Sequence, residues 1–241
     1  MNCVTIVIPT YNEAENIEKI IIGISNALDH TKYGKSYMIC VVDDNSPDNT
    51  GEIAEKLAKK YPVDVIHRTG KRGYGEACKE GFKHAVVHSD VIITMDCDLS
   101  HDPRVIPFFI KKIEQGCDVV IGSRYIAGGK IQNWSVLRRI ISKSANFFTK
   151  MILGLPVSDC TSGYRAYKTE VLKKIGVEKI FADGYSFLEE LLYASYRAGY
   201  VIAEIPICFV ERQYGASKLS KKEMLKFIMT IVRLKRGKYA K

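Results

Sequence analysis

Short apolar runs bounded by turn residues punctuate the first half of the chain, with amphipathic stretches of helical period between them. Val4–Ile8, Tyr37–Val42, Val63–His67, Val91–Met95 and Val119–Gly122 read as strands. The intervening segments read as helices: Glu13–Leu28, with Ile17, Ile20, Ile21 and Ile24 on one face, then Thr50–Lys60, Tyr74–Val87 and a stretch from Pro103. This alternation predicts an α/β fold with a mostly parallel sheet flanked by helices. Ligands of such sheets bind beyond the carboxyl ends of the strands. Four polar clusters fall there: Pro9-Thr10-Tyr11-Asn12-Glu13, Asp43-Asp44-Asn45-Ser46, Asp96-Cys97-Asp98 and Ser123-Arg124-Tyr125.

The pattern changes after Gly128-Gly129. Val136–Leu153 plots as one helix with Val136, Leu137, Ile140, Ile141, Phe147, Phe148, Met151 and Ile152 on one arc and Arg138, Arg139, Ser142, Lys143, Asn146, Thr149 and Lys150 on the other. A second such helix runs from Lys221 to Arg236, where Met224, Phe227, Ile228, Ile231, Val232 and Leu234 oppose Lys222, Lys226, Arg233 and Arg236. A helix of this kind either covers a core or lies in a membrane interface. For Val136–Leu153 the two readings stay open.

Charge favours the membrane for the second helix. Ser217–Lys241 holds nine Lys or Arg and one Glu, while the whole chain is +9, so the body is close to neutral and the tail is basic. The start of the chain has no basic segment leading into a small-residue cleavage site, and no apolar run approaches the ~20 residues of a bilayer span. The expectation is a peripheral protein on the cytoplasmic face of a membrane. Seven scattered cysteines without a CxxC pair fit a reducing compartment and argue against structural zinc.

Two carboxylates at a strand's carboxyl end, as in Asp96-Cys97-Asp98, repel each other unless a hard cation such as Mg²⁺ or Mn²⁺ lies between them. Asp43 and Asp44 suit either a nucleobase N–H or ribose hydroxyl, or the capping of the turn that follows. Asp102-Pro103 reads as an N-cap followed by proline at the first helical position. Arg124, Arg138, Arg212 and Lys218 are the cations available to phosphate groups, and Arg124 follows a buried strand on the acid-bearing rim.

Ile8-Pro9-Thr10-Tyr11-Asn12-Glu13, Val42-Asp43-Asp44-Asn45-Ser46-Pro47-Asp48, Met95-Asp96-Cys97-Asp98-Leu99-Ser100-His101 and Gly122-Ser123-Arg124-Tyr125 together resemble the inverting family 2 glycosyltransferases. Three later segments, Arg138–Asn146, Ser158–Arg165 and Val210–Lys218, narrow the likeness to the dolichol-phosphate mannose synthases within them. The resemblance runs from Val4 to about Lys222. It implies a GT-A-like nucleotide-diphospho-sugar transferase fold, a GDP-mannose donor and a dolichyl or polyprenyl phosphate acceptor. Position by position, Pro9, Tyr11, Glu13, Val42 and Asp44 would hold guanosine, and Asp96, Cys97 and Asp98 the metal-diphosphate. Ser100 would assist at the metal; some members have glutamine there, and a hydroxyl this short reaches an ion only through water. Arg124, Arg138, Arg212 and Lys218 would contact phosphates, Ser142 the acceptor, and Asp98, Arg124 and Arg138 would carry the catalysis.

The same likeness implies a catalytic domain over 1–219, including the acceptor-side helix 136–153, and a basic amphipathic helix over 220–241. Longer members carry transmembrane helices beyond this point; the type without them implies a small membrane-protein partner. Three alternatives compete. A relative using UDP-glucose would share most of these motifs. A nucleotidyltransferase would open with a Gly-rich basic loop where Pro9–Glu13 stands. A nucleic-acid-binding protein would explain the basic tail but leave the polar strand ends without a purpose, so no nucleic-acid partner is expected.

Overall fold

The computed structural model describes residues 3–34, 36–182, 184, 186–211 and 221–237. Seven strands form the main sheet: β1 (Val4–Thr10), β2 (Tyr37–Asp43), β3 (Val63–His67), β4 (Val91–Thr94), β5 (Val119–Ser123), β7 (Arg165–Lys168) and β8 (Ile202–Pro206). Their spatial order is β3-β2-β1-β4-β7-β5-β8. All neighbours run parallel except β7, which is antiparallel to both β4 and β5. Two short strands, β6 (Lys130–Gln132) and β9 (Cys208–Val210), pair separately beside the sheet.

Helices cover both faces because both faces are apolar. On one, α1 (Ile17–Leu28), α2 (Thr50–Leu57) and α4 (Ile106–Glu114) close over Ile6, Ile8, Ile39, Val41 and Ile93. On the other, α3 (Tyr74–Ala85), α6 (Thr169–Ile175) and α7 (Phe187–Arg197) close over Val7, Cys40, Val42 and Ile92. Gly81 lets α3 sit against the sheet: a Cβ there would lie 2.4 Å from Val7 Cγ1 and 2.9 Å from Val42 Cγ2. That approach fixes the first turn of α3 near the strand ends. The long helix α5 (Val136–Leu153) and α8 (Lys221–Lys235) pack on a third cluster with Ile121, Leu155 and Leu192, where α8 contributes Ile231 and Leu234.

The parallel layout places the rim. Pairing of β1 with β4 stops at Val7 opposite Thr94, whereas pairing with β2 continues to Thr10 opposite Asp43. Beyond Val7 the β4 side of β1 is open, and Pro9 has no N–H to leave unsatisfied there.

Two sequence expectations need correction. Helix α1 starts at Ile17, not Glu13: Glu13 and Asn16 form a turn whose carbonyl accepts from Asn16 N and Ile17 N, both at 2.9 Å. Strand β4 ends at Thr94, so Asp96-Cys97-Asp98 is a bend and not extended chain. The sheet is mostly parallel, as expected; within it β7 is an antiparallel strand that the apolar pattern hides.

Helix α5 is inverted relative to an ordinary surface helix. Its buried residues are Asn146, Thr149 and Leu153, while Val136, Leu137, Ile140, Phe147 and Met151 face outward, Val136 with 73% and Phe147 with 68% of its surface exposed. Met224, Leu225, Ile228, Met229 and Val232 are likewise exposed on α8. Among the described residues no helix is long and apolar enough to cross a membrane.

Candidate active site

Two loops lock together at the ends of β1 and β2. Asn12 N donates to Ser46 Oγ (3.1 Å), Glu13 N to Thr50 Oγ1 (2.9 Å) and Ala14 N to Asp48 Oδ2 (3.0 Å). Burial opposes the charge on Asp48, but the Thr50 hydroxyl and the Ala14 and Thr50 amides outweigh it and hold the carboxyl below its ordinary range. Asn12, Asn45 and Asn49 adopt left-handed backbone, which asparagine tolerates and which folds these loops tightly. Pro9, Tyr11 and Glu13 lie along one edge of this rim, with the Val42 side chain buried beneath it.

Asp43 and Asp44 are engaged within the protein. Asp43 accepts from Ser46 N and Oγ, the capping role considered from the sequence. Asp44 forms an ion pair with Arg68 and accepts from Gly73 N at 2.7 Å. Asp44 thereby anchors the loop between β3 and α3, and that loop carries Arg72 back over the ring of Tyr11.

The acidic bend follows. Cys97 points into the core, where burial pushes its thiol far above the ordinary range. Asp96 and Asp98 flank it on the rim. Tyr74 Oη donates to Asp96 Oδ1 at 3.3 Å, and Asp96 N donates to His101 Nδ1 at 3.0 Å. His101 is buried against Tyr164, and burial lowers its affinity for a proton, so Nδ1 accepts as part of a neutral imidazole. Asp98 Oδ1 accepts from Ser100 N (3.1 Å) and Ser100 Oγ (2.5 Å). Leu99 between them is left-handed, φ 64°. For a residue with a branched side chain this costs about 1–2 kcal/mol, strain of the kind found at functional turns.

This bend fits a hard divalent cation in part. Among the described residues no group of three or more His, Cys, Asp and Glu is placed to hold a metal. The chain offers the two carboxylates, and Ser100 is engaged on Asp98. Mg²⁺ and Mn²⁺ are held in this way, by one or two carboxylates with the remaining positions left to phosphate and water.

At the end of β5, Arg124 is buried and grips Asp159 at two points, Nε to Oδ2 and Nη2 to Oδ1, both 2.7 Å. Nη2 also donates to Thr161 Oγ1 (2.8 Å), and the guanidinium lies 5.4–5.5 Å from the ring centroids of Tyr125, Trp134 and Phe209. Asn146 of α5 accepts from Cys160 N and donates to Thr161 Oγ1, so the loop 158–163 is held from both sides. One turn into α5, Arg138 lies 4.2 Å above the Trp134 ring and donates to Glu211 Oε1 (2.6 Å). Ser142 Oγ accepts from Tyr125 Oη at 2.7 Å.

The family model for glycosyl transferase family 2 matches residues 5–176, which span the sheet through β7 and both rim loops. The chain belongs to that family. This glycosyltransferase is 40% identical over 218 residues to polyprenol monophosphomannose synthase of Mycolicibacterium smegmatis, covering 89% of this chain and 80% of the relative. It is 41% identical over 233 residues to dolichol-phosphate mannosyltransferase of Pyrococcus furiosus, covering 96% of this chain and 63% of that one. Its fold matches glucosyl-3-phosphoglycerate synthase of Mycobacterium tuberculosis, solved with Mn²⁺, UDP and glucosyl-3-phosphoglycerate, at a TM-score of 0.70 and 18% identity over 98% of this chain and 80% of that one. At that identity the likeness concerns the GT-A fold alone.

Tertiary structure thus brings the acids, Arg124, Arg138 and Ser142 to one side of the glycosyltransferase, whereas Arg212 and Lys218 lie outside the described residues. Sequence reasoning gave no role to Arg68, Arg72, Asp159, Trp134 or Glu211. Asp159 stood in a quoted segment, Ser158–Arg165, but its partner is 35 residues away. Glu190, in the first turn of α7, accepts from the Phe181 and Ala182 amides and pairs with Arg233 of α8.

Proposed function

We propose that this chain transfers mannose from GDP-mannose to the phosphate of dolichyl or another polyprenyl phosphate, with inversion, releasing GDP. The observation that carries the reading is helix α5. It carries Arg138 and Ser142 beside Trp134 and Tyr125, next to Arg124 at the end of β5, and turns outward an apolar arc that nothing covers among the described residues, which suits an acceptor with a phosphate head and a hydrocarbon tail. The names of the two relatives at about 40% identity support the same acceptor and sugar.

In this reading the guanosine lies along Pro9, Tyr11, Glu13, Val42 and Asp44, the last holding the loop that frames it. Asp96 and Asp98 hold Mg²⁺ or Mn²⁺ together with the diphosphate, with Cys97 contributing backbone and Ser100 orienting Asp98. The ion, when bound, supplies Lewis acidity to the departing diphosphate. The acceptor phosphate has a second pKa of roughly 6 and arrives as an anion, so no side chain has to remove a proton. One of its oxygens bonds to the anomeric carbon from the face opposite the diphosphate, and the bond to the β-phosphate oxygen breaks with its electron pair leaving on GDP. Arg138 offsets the repulsion between the two anions by exchanging Glu211 for phosphate. Arg124, fixed by Asp159, faces the diphosphate with its remaining N–H groups, and Arg212 and Lys218 add positive charge from the segment after β9. The catalytic unit is 1–219. The basic segment 220–241, which includes α8 (Lys221–Lys235), joins α5 in resting on the cytoplasmic face of a membrane, its cations toward anionic headgroups.

The deciding experiment incubates the protein with labelled GDP-mannose or UDP-glucose, MgCl₂ or MnCl₂ and a short polyprenyl phosphate. The expected result is a lipid-extractable product from GDP-mannose that fails to form in EDTA. A product from UDP-glucose alone overturns the donor assignment.

A further inference from the structure

Arg72 ties together two sides of the nucleotide rim. Its Nη1 donates to Tyr11 Oη at 2.8 Å, its Nη2 donates to the Asn45 carbonyl at 3.1 Å, and its guanidinium carbon lies 4.7 Å from the centre of the Tyr11 ring. The backbone presenting it is anchored on both sides. Arg68 N donates to Asp43 O (2.8 Å), the Arg68 guanidinium donates to Lys71 O (3.0 Å), and Gly73 N donates to Asp44 Oδ2 (2.7 Å). The side chain itself is exposed. Asp43 and Asp44 are engaged by Ser46, Arg68 and Gly73, and the exposed fork of Arg72 is a further group on this rim able to meet the edge of a base.

We propose that Arg72 reads the base of the donor nucleotide and selects guanine over uracil. The assignment rests on the GDP-mannose reading and adds the residue that enforces it. Two N–H groups of one planar fork already meet two separate oxygens, and guanine offers such a pair, O6 and N7, along a single edge. Uracil carries its two carbonyls on either side of N3–H and has no matching pair. Adenine places an amino group beside N7, so one arm of the fork would face a donor. On nucleotide entry the contacts to Tyr11 and Asn45, both to neutral oxygens, exchange for contacts to the base. Because the flanking backbone is anchored, a side-chain rotation is sufficient.

The test is calorimetric titration of GDP and of UDP, each with MnCl₂, into the full chain and into Arg72→Ala and Arg72→Lys. The unsubstituted protein is expected to favour GDP. A good bidentate contact discriminates roughly fivefold to a hundredfold. Arg72→Ala should therefore lose about tenfold or more in GDP affinity with UDP nearly unchanged, and lysine, a single-point donor, should restore little. GDP preference that survives in Arg72→Ala, or an equal loss for both nucleotides, overturns the role of Arg72 and leaves the donor reading standing. Equal or tighter binding of UDP by the unsubstituted protein removes both.

Discussion

Arg124 and Asp159 form a planar, two-point ion pair in which both partners are shielded from water and the carboxylate also accepts from the Arg124 amide at 3.0 Å. Burial alone would neutralise Asp159, but the guanidinium and that amide hold its carboxyl below the ordinary range. The pair joins the end of β5 to the loop 158–163, so the charge on Arg124 is fixed in place before any substrate arrives.

Removing one member strands the other. Asp159→Ala should destabilise the protein by about 3–5 kcal/mol, read as a lower urea midpoint, because an unpaired buried guanidinium remains. A cost under about 1 kcal/mol would mean that water reaches Arg124 and that the pair contributes little.

Asp98→Ala should abolish transfer, with near-normal turnover counting against the acidic bend as the metal and diphosphate site. Ser100→Ala should lower kcat about tenfold, the loss of one hydrogen bond to a charged group. Measured turnover with unchanged circular dichroism separates this from unfolding.

Arg138→Ala should raise KM for polyprenyl phosphate about tenfold while GDP affinity stays within twofold. Arg138 meets Glu211 and Trp134 and none of the nucleotide loops among its described contacts. The reversed pattern would move Arg138 to the donor side.

Glu189 gives a pH signature. Burial pushes its carboxyl from 4.5 up to about 7, and Oε2 has no hydrogen-bond partner among the described residues. As pH rises past 4.5 the unfolded chain releases this proton while the folded chain keeps it, so stability falls until about pH 7 and then levels. Glu189→Gln should remove the penalty and stabilise the protein by about 3 kcal/mol at pH 8, with a much smaller gain at pH 5. Urea titrations at the two pH values check this; a gain independent of pH would refute it.

Phe147→Glu with Met151→Glu should cut binding to anionic vesicles about a hundredfold, since two large apolar side chains lose a place to bury. Both side chains are exposed, so the melting temperature should hold. Flotation of the unsubstituted and doubly substituted proteins measures the difference.

The central strands were legible because Val4–Ile8 and Val91–Met95 are apolar on both faces, and α5 because its apolar positions recur at helical spacing from Val136 to Leu153. Strand β7 was not. It opens with Arg165, whose buried charge donates to the carbonyls of Ser162, Leu188 and Cys160, so a core position reads as a surface one. The rim was visible as polar punctuation, but the partner of each side chain was not. Asp44 meets Arg68 and Arg138 meets Glu211 across folds of the chain that spacing does not encode. For α5 amphipathicity was legible but its direction was not, since burying Asn146 instead of Phe147 depends on the hydrogen bonds that Asn146 makes to loop 158–163.

A helix worn inside out has a cost in plain buffer. Among the described residues nothing covers the greasy side of α5, so without lipid or detergent it meets another copy, and purified stocks should cloud as they are concentrated and clear when micelles are added.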